Sequence, residues 1–196
     1  MNQDILYFFN NMAHTSAALD SIAKFLIQDS ALIILIVIVV VYLAGILAKK
    51  ELFRTTAFNA ACTVVVCLIV GFVIGHFVQE TRPMFALNDV TVLLPHANDS
   101  SFPSDHMLFC FAAAFGFYQL SRKFGVILMV FGLLVGIAKI YAAQHYPLDI
   151  LLTIILTFVI SFLYLTFISK WPLKIYSAVE RRIMPFLHDD YRNDAK

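Results

Sequence analysis

Residues 31–48 read ALIILIVIVVVYLAGILA, a run in which no side chain is charged. Each residue of an α-helix adds about 1.5 Å, so this run approaches the hydrocarbon thickness of a bilayer, roughly 30 Å. The whole chain of 196 residues is 61% hydrophobic with a mean hydropathy of +0.82, well outside the composition of soluble domains. The sequence therefore predicts a single-domain integral membrane protein.

Further apolar runs indicate more helices that cross the membrane. The predicted spans after the first are residues 55–78, 107–120, 124–143 and 148–168. Mixed apolar and polar side chains before and after them are typical of helices lying at the membrane interface. We therefore expect an all-α polytopic helical bundle with five to six transmembrane helices. It would comprise an amphipathic amino-terminal segment (1–30), a transmembrane core (31–169) and an amphipathic cytoplasmic tail (170–196).

The charge and cysteine content exclude several classes of function. A formal net charge of +1 offers no surface for a polyanion, so nucleic-acid binding has no support. Cys62, Cys67 and Cys110 lie in apolar runs without the spacing of metal ligands or disulfide frameworks. The amino terminus has no basic region ahead of an apolar stretch, so we expect no cleaved signal peptide.

The distribution of basic residues predicts the orientation of the bundle, because short cytoplasmic loops are enriched in lysine and arginine. The basic side chains of one set of loops and of the tail are Lys49, Lys50, Arg54, Arg122, Lys123, Lys170, Lys174, Arg181 and Arg182. This side is predicted to be cytoplasmic. The amino-terminal segment, the 79–103 loop and the 144–147 turn would then face outward.

Two polar stretches open apolar runs on that outward side. The first, residues 101–106, reads SFPSDH. If the third span begins at Ser104, Asp105 and His106 fall in its first helical turn, and the free backbone N–H groups of such a turn bind anions. A histidine there can donate a proton to a leaving oxygen near neutral pH.

The second stretch, residues 145–149, reads HYPLD. Pro147 fits the first turn of the last span, which holds His145 just outside the helix and Asp149 just inside it. We expect a hydrogen bond from the imidazole to the carboxylate that fixes the tautomer and leaves the other ring nitrogen free to attack. A merely structural capping pair is the alternative.

Arg82 and Pro83 lie in the 79–103 loop, which is long for a connection within a bundle. The fork of donors on an arginine suits phosphate. Alone, Arg82 could equally be an interfacial side chain that reaches lipid headgroups.

Together these pieces resemble the type 2 phosphatidic acid phosphatase superfamily, the membrane relatives of the vanadium haloperoxidases. Its motifs are Lys-x6-Arg-Pro, Pro-Ser-x-His and Ser-Arg-x5-His-x3-Asp. Arg82-Pro83, residues 103–106 and the His145 to Asp149 spacing match in order. Gly75 stands where the family has its lysine, and Ala138-Lys139 replaces Ser-Arg. The resemblance implies an acid-phosphatase/vanadium-haloperoxidase-like core and places catalysis in residues 31–169.

Residues 94–106, with Glu80-Thr81-Arg82-Pro83, resemble more narrowly the bacitracin-resistance type of undecaprenyl-diphosphate phosphatase. This resemblance implies release of the terminal phosphate from a C55 isoprenyl diphosphate, which recycles the carrier lipid for cell-wall synthesis. It also implies a multi-pass protein of the bacterial plasma membrane whose site faces outside. The implied catalytic residues are His145 as nucleophile, forming a phosphohistidine, Asp149 as its orienting group, and His106 as proton donor. The implied phosphate ligands are Arg82, Ser104 and Lys139.

Three further polar residues, Glu80, Asp105 and His96, are possible accessory residues. Glu80 could pair with Arg82, handle protons or simply end a helix. We expect no metal site and no required cofactor. The partners would be the isoprenyl diphosphate and membrane lipids, and the sequence leaves the oligomeric state open.

Other functions compete with this interpretation. One is a broader lipid phosphatase acting on phosphatidic acid or phosphatidylglycerophosphate. Another is a non-catalytic lipid-binding or transport protein, although transport predicts ionisable groups near the middle of the bilayer rather than at helix ends. A small helical scaffold would leave the clustered motifs unexplained.

Overall fold

The computed structural model describes residues 2–187. Its α-helices are α1 (Asn2–Asn10), α2 (Ala17–Leu47), α3 (Glu51–Val78), α4 (Pro83–Ala86), α5 (Asp105–Tyr118), α6 (Arg122–Tyr141), α7 (Pro147–Leu163) and α8 (Lys170–Ile183). A π-helical segment, Tyr164–Ile168, extends α7, and Pro185–Leu187 forms a 3₁₀ turn. No strand occurs in the described part of the chain. The predicted all-α membrane bundle is confirmed.

Four of the described helices, α2, α3, α6 and α7 with its π extension, are long and apolar enough to cross a membrane. The predicted third span is the shorter α5, which begins at Asp105 and packs against α2, α3, α6 and α7. Its side chains from Ala112 to Ala114 are fully buried. Because α5 is surrounded by protein, it need not match the thickness of the lipid.

Close contact between α5 and α3 depends on Gly116. A Cβ atom at this position would lie 2.7 Å from Cα of Ala60, closer than backbone and side chain can approach. The small residues on both helices therefore bring α5 into the centre of the bundle. This position sets Ser104, immediately before α5, in the interior.

Two predicted boundaries differ from the structure. Helix α2 begins at Ala17 rather than Ala31, so the boundary predicted at residue 30 falls within a continuous helix. Charges at Asp20 and Lys24 interrupt the apolar run but not the helix, and Asp20 receives a hydrogen bond from Tyr141. Arg54, predicted in a basic loop, is buried in α3. Residue 1 and residues 188–196 of the predicted tail lie outside the described residues.

The bundle has two ends, which we name by their contents. The site end comprises the 79–104 loop, the start of α5, the end of α6 and the start of α7. The tail end comprises the α2–α3 and α5–α6 turns and α8. The buried pair of Arg54 and Glu180, with 2.7 Å between Nε and Oε1, attaches α8 to the tail end.

Candidate active site at one end of the bundle

Arg82 is the N-cap residue of the short helix α4, and Pro83 occupies its first turn. The Arg82 side chain points into the protein and is only 4% exposed. Nε donates to Oδ1 of Asp99 at 2.8 Å, and Nη1 donates to the carbonyl of Gln144 at 3.1 Å. Nη1 also lies 2.9 Å from Nε2 of His145. The loop arginine and the second polar stretch, predicted to converge, are therefore in direct contact.

His145 lies between α6 and α7 and is 2% exposed. Its Nδ1 is 2.6 Å from the carbonyl oxygen of Ser101. A carbonyl only accepts a hydrogen bond and a guanidinium only donates one, so Nδ1 carries the proton and Nε2 presents its lone pair to Arg82. Burial, with the positive charges of Arg82 and Lys139, lowers the pKa of His145 well below the ordinary histidine value. The imidazole is therefore neutral near pH 7.

The predicted hydrogen bond between His145 and Asp149 is wrong. The carboxylate of Asp149 instead accepts from the hydroxyl of Ser101 at 2.5 Å and from the backbone N–H of Tyr146 at 3.0 Å. Ser101 thus joins the two residues, because its hydroxyl donates to Asp149 and its carbonyl accepts from His145. Asp149 is thus connected to the imidazole through Ser101, to which the sequence had given no role.

Lys139 lies in the last turn of α6 and is 1% exposed. Its Nζ donates to the side-chain oxygen of Gln144 at 3.0 Å. The carbonyl of the same glutamine accepts from Arg82, so Gln144 connects the two cations. Sequence reasoning missed Gln144, and its position next to His145 was the one signal that could have identified it.

Ser104 is the N-cap residue of α5, but its side chain makes no capping hydrogen bond. Its hydroxyl is buried and has no hydrogen-bond partner among residues 2–187. Its backbone N–H donates to Oγ1 of Thr153 at 3.1 Å. A buried hydroxyl without a partner is costly unless a ligand satisfies it, and a phosphate oxygen at the start of α5 would do so.

His106, predicted as the proton donor, is half-buried in the first turn of α5. Within the described chain, no hydrogen bond joins it to Arg82 or His145. It lines a cavity of about 370 Å³, which we call the apolar groove. The lining residues of the apolar groove are Ala31, Leu68, Phe72, Asp105, His106 and Phe109.

A second cavity, of about 410 Å³, lies beside the groove and is more polar; we call it the polar cavity. Glu80, Asp99 and Asp105 line it, and it shares Phe72 and Asp105 with the apolar groove. The two cavities therefore adjoin at the start of α5. One offers polar walls at the site end, and the other offers an apolar channel between α2, α3 and α5.

Glu80 does not pair with Arg82, which was one of its predicted roles, because Asp99 forms that pair instead. Burial alone would raise the pKa of Asp99, but Arg82 outweighs it and the pKa is lowered. His96 lies 3.4 Å from the Asp99 carboxylate, and burial and the charge of Arg82 lower the pKa of His96.

No group of three or more His, Cys, Asp or Glu side chains suited to a metal ion occurs within residues 2–187.

The fold and this geometry define a class: a multi-pass membrane protein that buries an arginine, a lysine and a neutral histidine together at one end of a helical bundle. Such an arrangement suits an anionic group. The profile of the PAP2 superfamily matches residues 31–172, and the chain belongs to this superfamily.

Individual relatives support this assignment. Undecaprenyl-diphosphatase BcrC of Bacillus subtilis (strain 168) is 31% identical over 167 residues, covering 85% of this chain and 84% of the relative. Bacitracin transport permease protein BcrC of Bacillus licheniformis is 30% identical over 192 residues, covering 94% and 92%. The crystal structure of Aquifex aeolicus LpxE has a TM-score of 0.67 at 21% identity, covering 85% of this chain and 95% of that one. The resemblance predicted from the motifs is confirmed.

Proposed function

We propose that this lipid phosphatase hydrolyses undecaprenyl diphosphate, a C55 isoprenyl diphosphate, to the monophosphate and inorganic phosphate. His145 forms a phosphohistidine intermediate. The site faces the outside of a bacterial plasma membrane, where the reaction recycles the carrier lipid for cell-wall synthesis and contributes to bacitracin resistance.

The contact that carries the proposal is the one between Arg82 Nη1 and His145 Nε2, at 2.9 Å. The guanidinium occupies the lone pair of the neutral imidazole and lies where a phosphoryl group would bind. When a terminal phosphate enters, its oxygens replace Nε2 as acceptors for Arg82. Nε2 is then free, and the phosphorus atom lies next to it.

The chemical steps follow from this arrangement. Nε2 of His145 bonds to the terminal phosphorus as the bond to the bridging oxygen breaks. His106, which the negative charge of the bound diphosphate keeps protonated, gives its proton to the departing lipid monophosphate. A water then gives a proton to neutral His106, and its oxygen attacks phosphorus as the N–P bond breaks. Phosphate leaves and the imidazole is restored. The Nδ1 proton of His145 stays on the imidazole, hydrogen-bonded to the carbonyl of Ser101, whose position Asp149 fixes.

Negative charge on the three equatorial oxygens of the transferring phosphoryl group is stabilised by side chains already in place. Arg82 and Lys139 supply positive charge, and the unpartnered hydroxyl of Ser104 supplies a hydrogen bond. These groups are buried, where electrostatic interactions are stronger than in water. The scheme needs no metal ion.

The substrate class is supported by the apolar groove, which lies beside His106 between hydrophobic side chains of α2, α3 and α5. A lipid chain leaving the site by this route would place its phosphate beside His106, where a leaving group needs a proton. The name of the Bacillus subtilis relative, undecaprenyl-diphosphatase, supports an isoprenyl diphosphate as the lipid.

The Bacillus licheniformis relative is named as a transport permease, which raises transport as the second candidate. The positions of the charged side chains favour catalysis. The charged residues that are buried within the described chain lie in loops, in α8 or in the first or last turns of helices: Asp20, Arg54, Arg82, Lys139, Asp149 and Glu180. A transport pathway would place such groups near the middle of the membrane.

The test is phosphate release by the purified protein in detergent. The substrates are C55 isoprenyl diphosphate, phosphatidic acid and phosphatidylglycerophosphate, each with and without EDTA. We expect the fastest turnover with the isoprenyl diphosphate, no effect of EDTA, and loss of activity in His145→Ala but not in the exposed-histidine control His14→Ala.

Each part of the proposal has its own contradicting result. Equal or faster turnover of the glycerolipids would overturn the substrate. Loss of activity in EDTA would require a metal ion. Phosphate release by His145→Ala at the wild-type rate would overturn the mechanism, and no release by the wild type from any lipid would favour transport.

A further inference from the structure

Helix α1 lies outside residues 31–172, the part that the superfamily profile matches. Its last residue, Asn10, is nevertheless 1% exposed. A nearly inaccessible amide at the end of a short terminal helix is unusual, because buried polar groups must find partners. The partners of Asn10 lie in two segments that build the site end.

The Asn10 amide uses both of its donors and its acceptor. Nδ2 donates to the carbonyl of Thr91 and to the carbonyl of Tyr141, each at 2.8 Å. Oδ1 accepts from the backbone N–H of Thr91 at 2.8 Å. One side chain therefore joins the backbone of the 79–104 loop to the end of α6.

Both connected segments lead directly to the reacting groups. The loop continues from Thr91 to Asp99, which pairs with Arg82, and to Ser101, whose carbonyl accepts the hydrogen bond from Nδ1–H of His145. Tyr141 ends α6 two residues after Lys139. Asn10 thus fixes the distance between the segment that orients the nucleophile and the segment that supplies the second cation.

Helix α1 is itself held firmly. Leu6 is fully buried, and the hydroxyl of Tyr7 donates to Oδ1 of Asp89 in the same loop at 2.8 Å. The hydroxyl of Tyr141, which donates to Asp20, also lies 3.0 Å from the carbonyl oxygen of Met12, just after α1. Asn10 therefore lies on a helix that is itself fixed in place, as a positioning residue requires.

We propose that Asn10 is a positioning residue for the phosphatase reaction, holding the 79–104 loop against the end of α6 so that Ser101 and Arg82 keep His145 aligned. The inference rests on the proposed function. Asn10 touches no reacting atom and acts through Thr91 and Tyr141. Displacement of a catalytic group by about 1 Å from a remote change can cost up to about 100-fold in rate.

The test compares Asn10→Ala with Asn11→Ala, its exposed neighbour, using isoprenyl diphosphate in detergent. We expect Asn10→Ala to lower kcat about tenfold or more while KM changes less than about threefold. Asn11→Ala should match the wild type. Equal kcat values in the two variants would overturn the inference.

A pH profile separates positioning from a loss of folded protein. Below a certain pH, His145 is protonated and cannot attack, which gives the acid limb of kcat/KM. Burial and the charges of Arg82, Lys139 and His96 act on this imidazole, with its Ser101 hydrogen bond opposing them. A loosened loop admits water, so the acid limb of Asn10→Ala should move to higher pH. A purely structural role would lower activity equally at all pH values.

If Asn10→Ala does not fold, Asn10→Ser replaces it, because its hydroxyl retains part of the hydrogen bonding. A smaller shift of the acid limb in the same direction is expected, and an unshifted limb overturns the inference. A wild-type protein without phosphatase activity would instead overturn the proposed function. An active wild type with identical Asn10 and Asn11 variants would overturn the positioning role alone.

Discussion

Arg54 and Arg82 are both buried arginines, one at each end of the bundle, and they are held in opposite ways. Arg54 is fully buried and forms a two-pronged pair with Glu180, with Nε–Oε1 and Nη2–Oε2 distances of 2.7 and 3.2 Å. Arg82 pairs with Asp99, whose side chain is 53% exposed, and otherwise contacts a carbonyl and a neutral imidazole.

This difference distinguishes a structural arginine from the arginine that we propose binds phosphate. At the tail end the positive charge is balanced by a buried carboxylate, and Tyr176 adds a further hydrogen bond to that carboxylate. At the site end, the direct hydrogen-bond partners of Arg82 and the buried Lys139 are one half-exposed carboxylate, neutral oxygens and the neutral imidazole. Buried cations whose counter-charge is incomplete form a binding site for an anion.

The largest expected effect on activity comes from Arg82→Ala. Losing a donor that stabilises developing charge should lower kcat/KM roughly 10²- to 10³-fold. The loss of thermal stability should be smaller than that caused by breaking the Arg54–Glu180 pair, because the Asp99 carboxylate can turn to water. Phosphate release and the melting temperature of the purified variant measure the two effects. The exposed Arg181→Ala serves as the control. A strongly lowered melting temperature, with turnover by the folded fraction at the wild-type rate, would make Arg82 a structural arginine.

The converse is expected of Glu180→Ala, which leaves Arg54 buried without its carboxylate. Breaking a buried pair costs roughly 3–5 kcal/mol, whereas apolar replacement of both partners is often tolerated. Unfolding in detergent should show the loss, and the double variant Arg54→Met, Glu180→Leu should recover part of it. The turnover of the folded fraction should equal that of the wild type. A large drop in this turnover would show that the tail end contributes to catalysis.

A smaller effect, on substrate selection, is expected where the site end meets the apolar groove. Leu68→Trp fills the groove and should lower kcat/KM for the C55 diphosphate about tenfold, while a short-chain isoprenyl diphosphate is turned over normally. Ile69→Trp, on the exposed neighbouring position of α3, is the matched control. Equal effects of both variants on both substrates would mean that the chain takes another route.

The smallest effect is a shift in pH dependence. Neutral His145 is the attacking form, and its burial among Arg82 and Lys139 lowers its pKa below the ordinary value of about 6.5. The wild-type kcat/KM should therefore not decline as pH falls through 6.5, and should decline only at lower pH. A decline that begins above pH 6.5 would show that the imidazole is not shielded as described.

The sequence predicted the parts of this comparison that depend on local patterns. Hydropathy gave the spans, and Ser104 and Pro147 marked the starts of two of them. The distribution of basic residues placed the 79–103 loop and the 144–147 turn, and with them Arg82 and His145, at the same end. It placed Arg54 in a loop, because a charge count cannot distinguish a loop arginine from one paired with a residue far along the chain. Its partner, Glu180, lies in α8.

The finer structure of the site could not be predicted for the same reason. The spacing of His145 and Asp149 suggested direct contact, but the carboxylate accepts from the N–H of Tyr146 at the start of α7 and from Ser101. Ser101, Gln144 and Asn10 act mostly through backbone contacts between distant segments. Such contacts leave no periodicity or local motif in a single sequence.

The central claim is that a neutral His145, held between Arg82 and Ser101, becomes phosphorylated. The most direct measurement is rapid acid-free quenching of a reaction with isoprenyl diphosphate, followed by peptide mass spectrometry. We expect a phosphoryl group on His145 in the wild type, more of it in His106→Ala if loss of this base slows hydrolysis more than attack, and none in His145→Ala. A phosphoryl group on another residue, or phosphate release by His145→Ala at the wild-type rate, would contradict the account.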